Sequence, residues 1–179
     1  ILKIMAEILA SYKIGQFVIK INSRKLLIEI LKLANVAEEN YFPICASIDK
    51  LDSKGKEYVV DEMKNKGLTD KQVDIIFKHI DMKGQLDIID QLKNSDLQGE
   101  SFNKILKNLN LLFSYIRLYG IYDNIIFDCS LARGAAYYTD IIFEAEYVGL
   151  ESYGSVAGGG RYDNLTSLFK SSMDIPAVG

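Results

Sequence analysis

Strand-like sequence is confined to two parts of this chain, Phe17–Ile21 and the stretch that begins at Ile125, so any sheet must join segments lying far apart. Phe17-Val18-Ile19-Lys20-Ile21 is short and β-branched, the composition of a mostly buried strand. Before it, apolar residues at 1, 2, 4, 5, 8, 9 and 12 follow helical spacing, and Gly15 marks a stop. After it, Asn22-Ser23 offers an N-cap to a second helix through Leu26, Leu27, Ile30 and Leu31. The last third supplies Ile125–Leu131, Ile141–Val148 and Ser155–Ala157, with Gly149 and Gly154 at turns. In the second of these, Ile141, Phe143, Ala145 and Tyr147 alternate with Ile142, Glu144 and Glu146. That alternation predicts an antiparallel sheet with one wetter face.

Between the two strand regions no segment reads as a strand. Residues 37–108 are dense in charges of both signs and read as a helical insertion module, dividing the parts 1–36 and 109–179 of the main domain. Thr69-Asp70-Lys71-Gln72 is a capping box leading into Val73, Ile76, Phe77 and Ile80, and Gln85–Leu92 is a further short helix. Apolar positions 102, 105, 106, 109, 112, 113 and 116 predict a longer helix, closed by Gly120 at its C′ position, that returns the chain to the sheet. The fold class is therefore α+β.

Composition removes several alternatives. In 179 residues, 49% are hydrophobic and 25% charged, which fits compact domains and excludes disorder. No apolar run approaches the roughly 20 residues of a spanning helix, so no membrane contact is expected. A net charge of −3 gives no overall attraction to nucleic acid, so any such contact has to be local. Cys45 and Cys129 lack metal-ligand spacing and suit a reducing compartment. The helical opening and the apolar close at Ile175-Pro176-Ala177-Val178-Gly179 read as a piece excised from a longer protein.

Only four arginines occur, Arg24, Arg117, Arg133 and Arg161. Arg133 and Arg161 stand in short segments rich in glycine, alanine and tyrosine, where a planar, always-charged donor can reach a phosphate or carboxylate. Gly158-Gly159-Gly160 removes every β-carbon from one stretch of backbone, so a ligand can pack directly against it. It is neither a Walker loop nor GxGxxG. His79, the one histidine, reads as a helix residue of the charged module, and Glu144 and Glu146 read as a solvated sheet face.

Two of these segments resemble histidyl-tRNA synthetases. Leu131-Ala132-Arg133-Gly134…Tyr137-Tyr138-Thr139 is similar to that family's RGLDYYTG-type segment, and Gly159-Gly160-Arg161-Tyr162-Asp163-Asn164-Leu165 to its GGRYDxL segment. Phe17–Leu27 and Ile44–Asp52 are similar to the eukaryotic-type enzyme. The resemblance implies part of a class II catalytic domain, an antiparallel sheet flanked by helices, whose insertion approaches the tRNA acceptor arm. It implies a homodimeric, cytoplasmic ligase that joins histidine to tRNA(His) through histidyl-adenylate. ATP with Mg2+ would be its substrate, with no prosthetic group. It also implies that most of the ATP site lies outside this chain, so that the fragment alone is inactive. Arg133 would contact the α-phosphate and the histidine carboxylate, Tyr137 and Tyr138 would bind the imidazole side, and Gly159, Gly160 and Tyr162 would line the pocket. Ala135-Ala136 stands where the family has Leu-Asp, and Asp140 where it has Gly; the missing acidic residue is one that would hold the loop or Arg133 in place. The competing expectation is a catalytically silent synthetase-like module of the kind that senses uncharged tRNA.

Overall fold

The computed structural model describes residues 1–134, 137–168 and 175–179. In chain order the elements are α1 (Leu2–Ser11), β1 (Phe17–Ser23), α2 (Arg24–Leu33), α3 (Tyr41–Ile48), α4 (Leu51–Lys54), α5 (Lys56–Asn65), α6 (Asp70–Ile80), β2 (Lys83–Gly84), α7 (Ile88–Lys93), α8 (Glu100–Leu118), β3 (Ile125–Asp128), β4 (Ile141–Tyr147) and β5 (Ala157–Gly160). The helices follow the apolar periodicity. Thr69 caps α6 as expected: its Oγ1 accepts from the Gln72 N–H while Gln72 Oε1 accepts from the Thr69 N–H. Gly120, at φ 67°, takes the left-handed position just beyond α8.

The five strands form one sheet in the order β2-β3-β1-β4-β5. It is mixed rather than antiparallel throughout, because β1 and β3 run parallel, with Ile19 opposite Ile125 and Ile21 opposite Phe127. The physical reason is the length of chain between them: parallel neighbours need a long crossover, and α2 to α8 supply it. A second correction falls inside the crossover, where Lys83–Gly84 forms the edge strand β2 against β3. Two residues are too few to leave a periodic signal. The third concerns strand ends. β3 stops at Asp128, whose Oδ1 accepts from the Ser130 N–H at 2.9 Å and the Ser130 hydroxyl at 2.5 Å, turning the chain away from the sheet. β5 takes in the three glycines, which sequence had placed beyond the strand.

One face of the sheet presents Ile19, Ile21, Ile125, Phe127, Phe143, Ala145 and Tyr147, all buried beneath the helices. A single apolar cluster runs from α1 through α2, α6 and α8 to this face, so the helices of 37–108 share a core with the sheet. The other face carries Lys20, Asn22, Ile142, Glu144 and Glu146 and is the wetter one, as the alternation in β4 predicts. Cys45 and Cys129 are both buried free thiols. Among the described residues, no helix is long and apolar enough to cross a membrane.

Candidate active site

The wetter face is where Arg133 lies. Beyond β3, Arg133 reaches β4: its Nη1 donates to Glu144 Oε1 at 2.8 Å and to the Phe143 carbonyl at 3.5 Å. A β-carbon on Gly158, which pairs with Glu144 across β4 and β5, would collide with that same Nη1. Glycine at 158 therefore admits the guanidinium to the sheet surface. Arg133 Nε is buried and has no hydrogen-bond partner, so one side of the guanidinium is held and another is unsatisfied.

Acidic groups surround this cation. Asp49, just past α3, accepts from the Gly134 N–H at 3.1 Å. Burial pushes its carboxyl up, while that N–H and the Arg133 charge push it down; burial wins. Glu144 is likewise raised by burial, against the opposing pull of Arg133. Lys20 bridges Asp52 at 3.1 Å and Glu146 at 2.8 Å. Burial alone would lower its pKa, but the bonds to Glu146 and Asp52 outweigh this and push it up to about 12. Glu144 and Glu146 are thus ion-paired rather than simply solvated, a correction to the sequence reading. Lys20 stands opposite Glu144 in the register of β1 and β4 but pairs with Glu146, leaving Glu144 to Arg133.

An aromatic wall adjoins the arginine. The Arg133 guanidinium sits 5.5 Å from the Tyr138 ring centroid, Tyr137 lies 4.6 Å from Tyr138, and Tyr162 meets Tyr137 edge-on at 6.2 Å. Tyr138 is buried with Leu131 and Ile142, and Tyr162 packs against them. Burial, followed by the Tyr137 hydroxyl, raises the Tyr138 phenol, so it stays protonated as a donor. Gly160 fits beneath this wall, where a β-carbon would come within 2.6 Å of the Tyr138 ring. Gly159 is not brought to this group. It faces the other side of the sheet, against the Phe143 ring and the Gly179 carbonyl. Arg161 also stands apart, its Nε paired with Asp163 at 2.8 Å.

Two other features stand apart from this group. His79 is fully buried on α6 with Nδ1 2.8 Å from the Ile75 carbonyl. A cavity of about 600 Å3 between α1, α8 and Pro176–Val178 is lined mainly by apolar groups such as Ile4, Ile116, Ile121 and Phe143. Lys3 and Arg161 are the charged residues at its lining, and neither Arg133 nor the tyrosine wall reaches it. Ala135 and Ala136 lie outside the described residues. Asp49, Lys20 and Asn22 are the members of the site that sequence reasoning missed.

Comparison with known proteins bears on the family and the fold. The family model described as histidyl-tRNA synthetase matches residues 1–179. The cytoplasmic histidine–tRNA ligase of Dictyostelium discoideum is 38% identical over 182 residues, covering 99% of this chain and 38% of that protein. The mitochondrial histidine–tRNA ligase of Mus musculus is 40% identical over 190 residues, again covering 99% and 38%. Among solved structures, histidyl-tRNA synthetase from Nostoc sp. PCC 7120 superposes with a TM-score of 0.87 at 30% identity, over 98% of this chain and 42% of that one. This chain thus spans about two fifths of the length of these relatives. With the family match running from end to end and an arginine, a tyrosine wall and a glycine strand assembled on one face of the sheet, the chain belongs to the histidyl-tRNA synthetase family.

Proposed function

We propose that the parent protein is a class II histidine–tRNA ligase and that this region forms the histidine side of its active site. The observation that carries the reading is Arg133, seated on Gly158 and flanked by the Tyr138 ring, with part of its guanidinium unsatisfied. In the first step a histidine carboxylate oxygen attacks the α-phosphorus of ATP. The new O–P bond forms as the bond to the pyrophosphate oxygen breaks, giving histidyl-adenylate. Negative charge grows on the α-phosphoryl oxygens, and a preorganised cation beside them stabilises that charge more in the transition state than in the ground state. Tyr137, Tyr138 and Tyr162 supply a ring wall and phenolic partners for the imidazole, and Gly160 keeps the floor beneath them clear. In the second step a ribose hydroxyl of tRNA(His) attacks the acyl carbon and AMP leaves.

In this reading the helices of residues 37–108 face the acceptor arm of the tRNA, the parent is a homodimer, and it works in the cytoplasm, with a mitochondrial form as the competing outcome. In this reading Mg2+ accompanies ATP as part of the substrate. The test is histidine-dependent ATP–pyrophosphate exchange by the full-length parent. Exchange that falls about a hundredfold or more in Arg133→Ala, the scale of losing one preorganised donor, supports the ligase. A well-folded parent without exchange would move the reading to a silent, synthetase-like binding module.

A further inference from the structure

The loop that carries Arg133 is held at almost every described turn by side chains from outside it. Asn22 Nδ2 donates to the Cys129 carbonyl at 3.0 Å and the Leu131 carbonyl at 2.9 Å. Arg24 Nη1 reaches the Arg133 carbonyl at 3.4 Å. At the far end, Asp140 accepts from the Ser23 hydroxyl at 2.8 Å and pairs with Lys25 Nζ at 3.0 Å, and its carbonyl accepts from the Arg24 N–H at 2.9 Å. From the opposite side, Asp49 takes the Gly134 N–H. Four consecutive residues at the junction of β1 and α2 therefore grip both ends of one loop.

The grip is uneven in an informative way. The carbonyl of Arg133 and the amide that follows it are both held by charged side chains, which fixes its main chain. Its guanidinium has an ion pair to Glu144 and an unsatisfied Nε, so the head group can exchange partners while its base stays still. Ser23 stands at the N-cap position of α2 but makes no cap bond; its hydroxyl is committed to Asp140 instead. Asp140 and Asn22 are almost completely buried. A surface turn needs none of this, whereas a catalytic cation does, because small displacements of a reacting group cost rate steeply.

We propose that Asn22–Lys25, together with Asp49 and Asp140, is a positioning clamp that presets Arg133 for the adenylation step. The proposal rests on the reading of Arg133 as the residue beside the α-phosphate. The clamp acts on the loop and not on substrate, so weakening it lowers turnover more than it weakens the histidine binding that Arg133 itself supplies.

The experiment uses the full-length parent with Asp140→Asn, Lys25→Met, their combination, and Asp49→Asn. Two readouts are taken: kcat and KM for histidine in pyrophosphate exchange, and amide hydrogen exchange over residues 129–134. Asp140→Asn and Asp49→Asn are each expected to lower kcat about tenfold, with a smaller rise in KM, and to speed amide exchange in that segment. Asp140→Asn combined with Lys25→Met falls no further than the worse single variant, because both remove one interaction. Faster amide exchange with unchanged kcat would reduce the clamp to a structural turn, and unchanged amide exchange would overturn it altogether. A wild-type parent without pyrophosphate exchange would instead overturn the ligase reading, and amide exchange alone would then decide whether the clamp exists.

Discussion

Gly158 and Gly160 lie two residues apart on the same face of β5, yet a methyl group at each has a different consequence. At 158 it would meet the end of the Arg133 side chain, which can swing aside, and lie 3.2 Å from the Phe143 carbonyl, an approach that a shift of a few tenths of an ångström relieves. Gly158→Ala should therefore leave thermal stability within about 1 kcal/mol of wild type and still lower pyrophosphate exchange at least tenfold, or about 1.4 kcal/mol. At 160 the added carbon would lie 2.8 Å from the Ile141 carbonyl and 2.6 Å from the Tyr138 ring, and backbone cannot yield as a side chain does. Gly160→Ala should cost about 1–3 kcal/mol of stability, measured by urea denaturation of the parent. The Arg133 segment and the glycine run were legible in the sequence, since glycine, tyrosine and arginine crowd into a few residues. Asp49 and Asn22 were not. Asp49 meets Gly134 from 85 residues away, and Asn22 meets Leu131 from 109, so no local pattern could pair them.

At the level of elements, the corner between α3 and α5 is fastened by charge. Glu62 binds Lys50 at 2.8 Å and Lys66 at 2.6 Å, and Lys66 also donates to the Pro43 carbonyl. The bonds from Lys50 and then Lys66 hold the Glu62 carboxyl down at about 2. A carboxylate with a depressed folded-state pKa contributes stability above its unfolded value, near 4.5, and loses it as pH falls toward 2. Glu62→Gln should thus destabilise the protein at pH 7, by at most about 1 kcal/mol because the group is partly screened by solvent. The difference from wild type should shrink between pH 4.5 and 2 in thermal melts, and a constant difference across that window would refute the linkage. Helices such as α6 and α8 were readable from their own periodicity. The parallel partnership of β1 with β3, and the two-residue β2, were not, because pairing direction is set by what lies between strands and not by the strands themselves.

For the whole molecule, the decisive property is that helices and sheet share one apolar cluster. Phe113, on α8, is fully buried and lies edge-on to Tyr122 with ring centroids 6.4 Å apart. Phe113→Ala should cost about 3–5 kcal/mol. Amide protection should fall together in α6 and β1, and a loss confined to the helices would show that they fold separately. The parallel pairing has a further consequence, for how the chain is made. β1 is central in the sheet, but both of its neighbours, β3 and β4, are encoded far downstream. At a translation rate of about 5–20 residues per second, Ile19 and Ile21 wait on the order of ten seconds for Phe127 and Phe143 to leave the ribosome. Throughout that interval two strand edges stand open on a nascent chain, making this segment a natural client for chaperones during synthesis.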